Sequence, residues 1–117
     1  MDERLPAHLE VSALIRRTQA EGGFATVLQK GEREAGTILL VLCENDTNAR
    51  VYERMPAADG TRKWTCSRAW ESEQDTENKR EFSEYIARRG AQDRDLWIVE
   101  LDVAQAERLI GLPPLAR

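Results

Sequence analysis

The chain has little to offer a metal ion: one histidine, His8, and two cysteines, Cys43 and Cys66, in 117 residues. No credible zinc set can be built from these, and neither cysteine belongs to a C-x-x-C pair. A catalytic pairing of a cysteine with His8 would rest on residue type alone. Both cysteines are read as packing residues with free thiols, since an unpaired cysteine behaves as a small hydrophobe and reducing compartments keep disulfides rare. No apolar run approaches the ~18 residues that cross a bilayer, so no membrane span is expected. The segment Met1-Asp2-Glu3-Arg4 is charged and no apolar signal core follows it, which points to the cytoplasm. No motif calls for a cofactor.

Positive charge is also in short supply. The net charge is −4, and residues 71–100, with nine acids against five bases, carry all of it. Because phosphate neutralisation supplies most general affinity for nucleic acids, an acidic chain of this kind disfavours a nucleic-acid partner. Hydrophobic content of 41% beside 32% charged residues describes a globular chain, and its length fits a single domain over residues 1–117. No repeat, linker or low-complexity segment interrupts it.

What is present is organised around Ile38-Leu39-Leu40-Val41-Leu42-Cys43, an unbroken apolar run that suits a strand covered on both faces. Ahead of it, Val11, Leu14, Ile15 and Thr18 follow helical spacing within Leu9 to Glu21, and Gly22-Gly23 supply the stop. Phe24 to Gln29 reads as a strand joined to the central one as a hairpin through the polar loop Lys30 to Gly36. After the turn residues Asn45 to Asn48, Arg50 to Met55 forms a partly solvated strand. Asp59-Gly60 is a hairpin signal, and Lys63 to Trp70 should return as a fourth strand with Trp64, Cys66, Arg68 and Trp70 on one face. Ser72 to Thr76 offers N-caps for a second helix ending near Gly90. Leu96 to Val103 is the fifth strand, with Trp97, Val99, Leu101 and Val103 on a buried face. Asp102 with Gln105 resembles a capping box opening a last short helix closed by Gly111. The expected fold is α+β, an antiparallel sheet of about five strands with helices packed mainly on one face.

Three segments carry a resemblance: Val11-Ser12-Ala13-Leu14-Ile15-Arg16-Arg17, Gly23-Phe24-Ala25-Thr26-Val27 and Asp93-Arg94-Asp95-Leu96-Trp97-Ile98-Val99-Glu100. In the same order over most of the chain, they resemble a family of small uncharacterised bacterial proteins, a domain of unknown function of about 115 residues. Members of that family often carry proline between the two aspartates, where this chain has Arg94. The resemblance implies a bacterial cytoplasmic source and one compact domain, and it brings no activity or catalytic residue.

The order of elements is also loosely like that of the N-acetyltransferase superfamily. Those enzymes hold a pyrophosphate on a glycine-rich turn opening a helix. The matching stretch, Trp70-Glu71-Ser72-Glu73-Gln74-Asp75, has no glycine, no base and three acids, so that reading fails where it is sharpest. The paired carboxylates Asp93/Asp95 and Glu32/Glu34 have charged flanks that would not raise a pKa for acid–base work. Two candidate binding sets remain. Trp64, Arg68 and Trp70 are either core or the anchors of a protein interface, since Trp and Arg are enriched in such contacts. Arg16, Arg17, Arg88 and Arg89, at two helix ends, either compensate helix dipoles or bind an anion. The leading expectation is a non-catalytic interaction or regulatory module, with a protein partner or a homodimer formed through the fourth strand. The alternative is a small-ligand enzyme or anion-binding domain using the helix-end arginines.

Overall fold

The computed structural model describes residues 5–70 and 76–113. A helix α1 (Ala7–Ala20) precedes strands β1 (Phe24–Gln29), β2 (Ile38–Glu44), β3 (Thr47–Pro56) and β4 (Arg62–Ala69). A second helix α2 (Thr76–Gln92), strand β5 (Trp97–Asp102) and a 3₁₀ helix (Ala106–Ile110) follow. The five strands make one sheet in the order β1-β5-β2-β3-β4. The α+β class and the five strands are those expected. The expected start of the second helix at Ser72 to Asp75 lies outside the described residues.

The apolar run is the centre of the sheet. Every residue from Ile38 to Cys43 is buried, as a strand covered on both faces requires. Ile38, Leu40 and Leu42 pack on one side with Val11, Leu14, Trp97, Val99, Leu101 and Leu109. Leu39 and Val41 pack on the other side with Val51, Trp70, Tyr85, Leu96 and Ile98. The first layer is closed by α1 and the 3₁₀ helix, the second by α2, so the helices are divided between the two faces. The crossover geometry explains this. β4 runs parallel to β2 and β5, because β2–β3 and β3–β4 are antiparallel pairs, and α2 carries the chain back over the sheet between β4 and β5.

The sheet is mixed, with one parallel pair, β2 with β5. The expected hairpin between the first two strands is not formed, because β5 sits between them and pairs antiparallel with β1. The loop 30–37 instead passes beneath the start of β5. There the Glu32 amide donates to the Asp95 carbonyl at 2.9 Å, and the Trp97 indole N–H donates to the Glu32 carbonyl at 2.8 Å. Gly31 and Gly36 allow that approach, since a Cβ at either would lie 2.2 or 2.6 Å from the Asp95 oxygen. The same loop receives the Ala7 and His8 amides on the Glu34 and Arg33 carbonyls, which satisfies the first turn of α1.

The turn chemistry follows the sequence. Gly22, at φ 84°, and Gly23 donate to the Gln19 and Thr18 carbonyls and close α1 in a Schellman cap. Asn45 and Asp46, at φ 52° and 62°, make a two-residue type I′ hairpin between β2 and β3. Asp102 does not form the capping box expected of it. Its carboxylate accepts the Asn45 and Asp46 amides at 2.7 and 3.0 Å and so ties the end of β5 to that hairpin. Gln105, at φ 53°, starts the 3₁₀ helix without a side-chain cap.

Candidate functional site

Two charged side chains lie in the α1 layer, Arg50 at 2% and Glu107 at 1% exposure. Arg50 is placed inward by the same β3 alternation that buries Tyr52. Its Nε and Nη2 donate to the two carboxylate oxygens of Glu107, both at 2.6 Å. Its remaining donors go to Glu44 and to the Asn48 carbonyl, and the Tyr52 hydroxyl donates to Glu107 at 3.1 Å. Burial works to raise the Glu107 carboxyl, but the Arg50 fork outweighs it and holds the group below the usual carboxylate range. Every donor of the guanidinium is spoken for, so the cluster fastens the 3₁₀ helix to β3 and has no capacity left for a ligand. Neither Arg50 nor Glu107 was singled out by the sequence, and at 57 residues apart their spacing carried no signal.

Trp64, on β4, and Trp70, just past its end, are separated by a β-bulge. Val51 pairs with Arg68 while Tyr52 pairs with Cys66, leaving Ser67 as the extra residue. The bulge shifts the alternation, so Trp64, Cys66, Arg68 and Trp70 do not share the single face expected. Trp64 and Cys66 pack on the α1 layer, where the Arg54 guanidinium lies 4.4 Å from the Trp64 ring centre. Trp70 is buried in the α2 layer, edge-on to Phe82 at 5.0 Å and 5.8 Å from Tyr85. Arg68 stacks over Trp70 and Tyr85 and pairs with Glu81 at 3.0 Å.

The four helix-end arginines do not converge. Arg16 and Arg17 are exposed on α1, on one side of the sheet, and Arg88 and Arg89 lie on α2, on the other. Arg89 is bound at 2.7 and 3.0 Å to the two carboxylate oxygens of Glu53, which also accepts the Ser67 hydroxyl. The Arg89 fork and the Ser67 hydroxyl hold the Glu53 carboxyl below its usual range against the opposing effect of burial. This pair fastens α2 to the bulge.

A cleft of about 200 Å³ opens between α2 and the β2–β3 hairpin. It lies at the carboxyl ends of the parallel strands β2 and β5. Cys43 and Glu100 come from those strands, Asp46 and Asn48 from the hairpin, and Trp70 from the end of β4. Asn78, Lys79, Phe82 and Ser83 line it from α2. Burial, and then Glu100, Asp102 and Asp46, push the Cys43 thiol up to about 12. It is therefore no nucleophile at neutral pH. Burial, with Asp46 and Asp102, also raises the Glu100 carboxyl. Sequence reasoning missed this cleft, although Glu100 leaves a signal as a carboxylate set between Val99 and Leu101 in the apolar run of β5.

Among the described residues, no group of three or more histidine, cysteine or acidic side chains is arranged to hold a metal ion. No helix among them is long and apolar enough to cross a membrane. These features define a small α+β protein with a mixed five-stranded sheet between two helical layers and a polar cleft at the end of its parallel strand pair. The chain belongs to the family described as protein of unknown function DUF1491, whose pattern it matches over residues 5–111. It is similar to the crystal structure of a DUF1491 family protein from Caulobacter crescentus CB15, with 28% identity, a TM-score of 0.76, and coverage of 94% of this chain and 98% of that one. An NMR structure of a DUF1491 family protein from the same organism gives 28% identity and a TM-score of 0.75, over 98% of this chain and 100% of that one. The solution structure of protein Atu0922 from A. tumefaciens gives 28% identity and a TM-score of 0.70, covering 98% and 99%. No curated protein matches the chain.

Proposed function

We propose that this DUF1491 protein is a non-catalytic interaction module of the bacterial cytoplasm that works as a homodimer formed through the open edge of β1. The observation that carries this reading is the surface of that strand. β1 ends the sheet, and Phe24, Val27 and Leu28 on it are 75%, 41% and 44% exposed. An edge strand presents unpaired backbone donors and acceptors to another chain, and proteins that avoid pairing place charge there. β1 places none: its sequence is Phe-Ala-Thr-Val-Leu-Gln. A two-fold axis beside it therefore brings no like charges together, which favours a second copy as the partner. β4, the edge favoured by the sequence, carries Arg62, Lys63 and Arg68, and pairing with itself would set cation against cation. The cytoplasmic part of the reading is supported by a cysteine content of two free thiols and no disulfide framework.

Light scattering at tens of micromolar should give twice the monomer mass, for a contact with Kd of about 1–10 μM, or roughly −8 to −7 kcal/mol. Val27→Lys, an exposed change that adds an edge charge, should give a folded monomer with unchanged circular dichroism. A monomeric wild type, or a Val27→Lys protein that still dimerises, would refute the β1 contact.

A further inference from the structure

Among the described residues, Arg50 and Glu107 are buried as a pair and Arg89 and Glu53 are half-buried as a pair. The cleft between α2 and the β2–β3 hairpin is different. Glu100 is half-buried there, on a central strand, and makes no hydrogen bond or ion pair among the described residues. Trp70, 7% exposed, forms part of the wall, and its indole N–H is buried without an acceptor. An unpaired carboxylate costs stability, and this one lies in a cleft that a ligand can enter. Lys79 stands at the mouth on α2, with no ion pair of its own.

We infer that this cleft binds a small zwitterion of amino-acid size, with its ammonium group on Glu100 and its carboxylate toward Lys79 and the Asn78 amide. The lining supplies one pole of each sign. Glu100 and Asp46, both acidic and on the sheet side, attract a cation, and the proximity of Asp102 strengthens their field. The α2 side offers the Lys79 ammonium and the Asn78 amide, both suited to a carboxylate. Phe82, edge-on to Trp70, gives an apolar surface for a short side chain. Lys79 would repel a simple polyamine, and Glu100 with Asp46 would repel a simple anion, so a ligand carrying both charges fits best. A volume of about 200 Å³ admits a molecule of that size. The inference does not depend on dimerisation through β1.

The test is a titration of the ¹⁵N-labelled protein with pools of L-amino acids at millimolar concentration, followed by its indole and amide resonances. Trp70→Phe identifies the Trp70 indole signal. One or more amino acids should shift that signal together with the Asn78 and Ser83 amides. Glu100→Gln, which keeps the shape of the side chain, should weaken binding by at least about tenfold. Lys79→Met, at an exposed position that leaves the fold intact, should weaken it as well. Butylamine and propionate, each carrying one pole, should bind far more weakly than the amino acid. No shift with any amino acid, unchanged binding in a well-dispersed Glu100→Gln or Lys79→Met protein, or equal binding of butylamine would each overturn the inference.

Discussion

Arg50 and Glu107 meet through two hydrogen bonds of 2.6 Å, and their side chains are only 3% and 1% exposed. A pair this deep adds little over a well-packed apolar pair of the same volume, but losing one member leaves a charge buried alone. The 3₁₀ helix is fixed to the sheet by this contact and by a few apolar residues, so its position depends on both partners.

Glu107→Gln should accordingly destabilise the protein by about 3–5 kcal/mol in urea unfolding, while Arg50→Met with Glu107→Leu should recover most of that. The Glu107 carboxyl is held below its unfolded value, so its contribution is complete at neutral pH. It is lost as pH falls through the usual carboxylate range toward the folded pKa. The wild type should weaken steeply below about pH 5, and Glu107→Gln should show a shallower acid limb. A variant as stable as the wild type at pH 7 would show that the pair is dispensable.

Glu100 has the opposite sign. Its carboxyl is raised by burial, Asp46 and Asp102, so ionisation is less favourable in the folded chain than in the unfolded one. The associated stability is present at low pH and is lost as pH rises through the folded value. Glu100→Gln should therefore be more stable than the wild type at pH 7, with the difference vanishing below about pH 4, the usual range of a free carboxyl. Thermal unfolding across that range measures it. A destabilised variant at pH 7 would mean that Glu100 has a partner in the folded protein.

How far the sequence could be read follows from which signals are local. The burial of Ile38–Cys43, the glycine stop of α1, the Asn45-Asp46 turn and the boundaries of β1 were legible, because each depends on periodicity or backbone preference within a few residues. The place of β5 was not. A strand between β1 and β2 is announced only by Gly31 and Gly36 pressing against the Asp95 carbonyl, and glycine in a loop reads equally well as a turn. The split of Trp64 from Trp70 was hidden because one extra residue, Ser67, inverts every side chain after it. The helix-end arginines were visible as residues, yet Arg89 proved to be bound to Glu53, a partner 36 positions away.

The bulge makes the two tryptophans unequal. Trp70, enclosed by Phe82 and Tyr85, should cost about 3–5 kcal/mol when changed to alanine. Trp64 is half-buried beneath Arg54 and should cost roughly 1–2 kcal/mol. Urea unfolding of the two single variants checks this. A Trp64 loss as large as that of Trp70 would place both indoles in the core.

The two thiols offer the last test, because they lie on opposite layers and in different surroundings. Cys43 is 2% exposed and its thiol is pushed up to about 12, first by burial and then by Glu100, Asp102 and Asp46. At pH 8 it is therefore held as the thiol, and the thiolate is the reactive form. Cys66 is raised by burial too, but it sits half-exposed near the β4 edge. Iodoacetamide at pH 8 should therefore add once to the native protein, at Cys66, and twice in urea. The unlabelled protein should show no two-hydrogen mass deficit, since the sheet separates the sulfurs. Glu100→Gln removes one of the charges that raise the Cys43 thiol, yet burial, the larger cause, remains, so native protection should persist. Labelling of native Cys43 as fast as Cys66 would place that thiol at an open surface, and the cleft beside it would have to be wider than the structure has it.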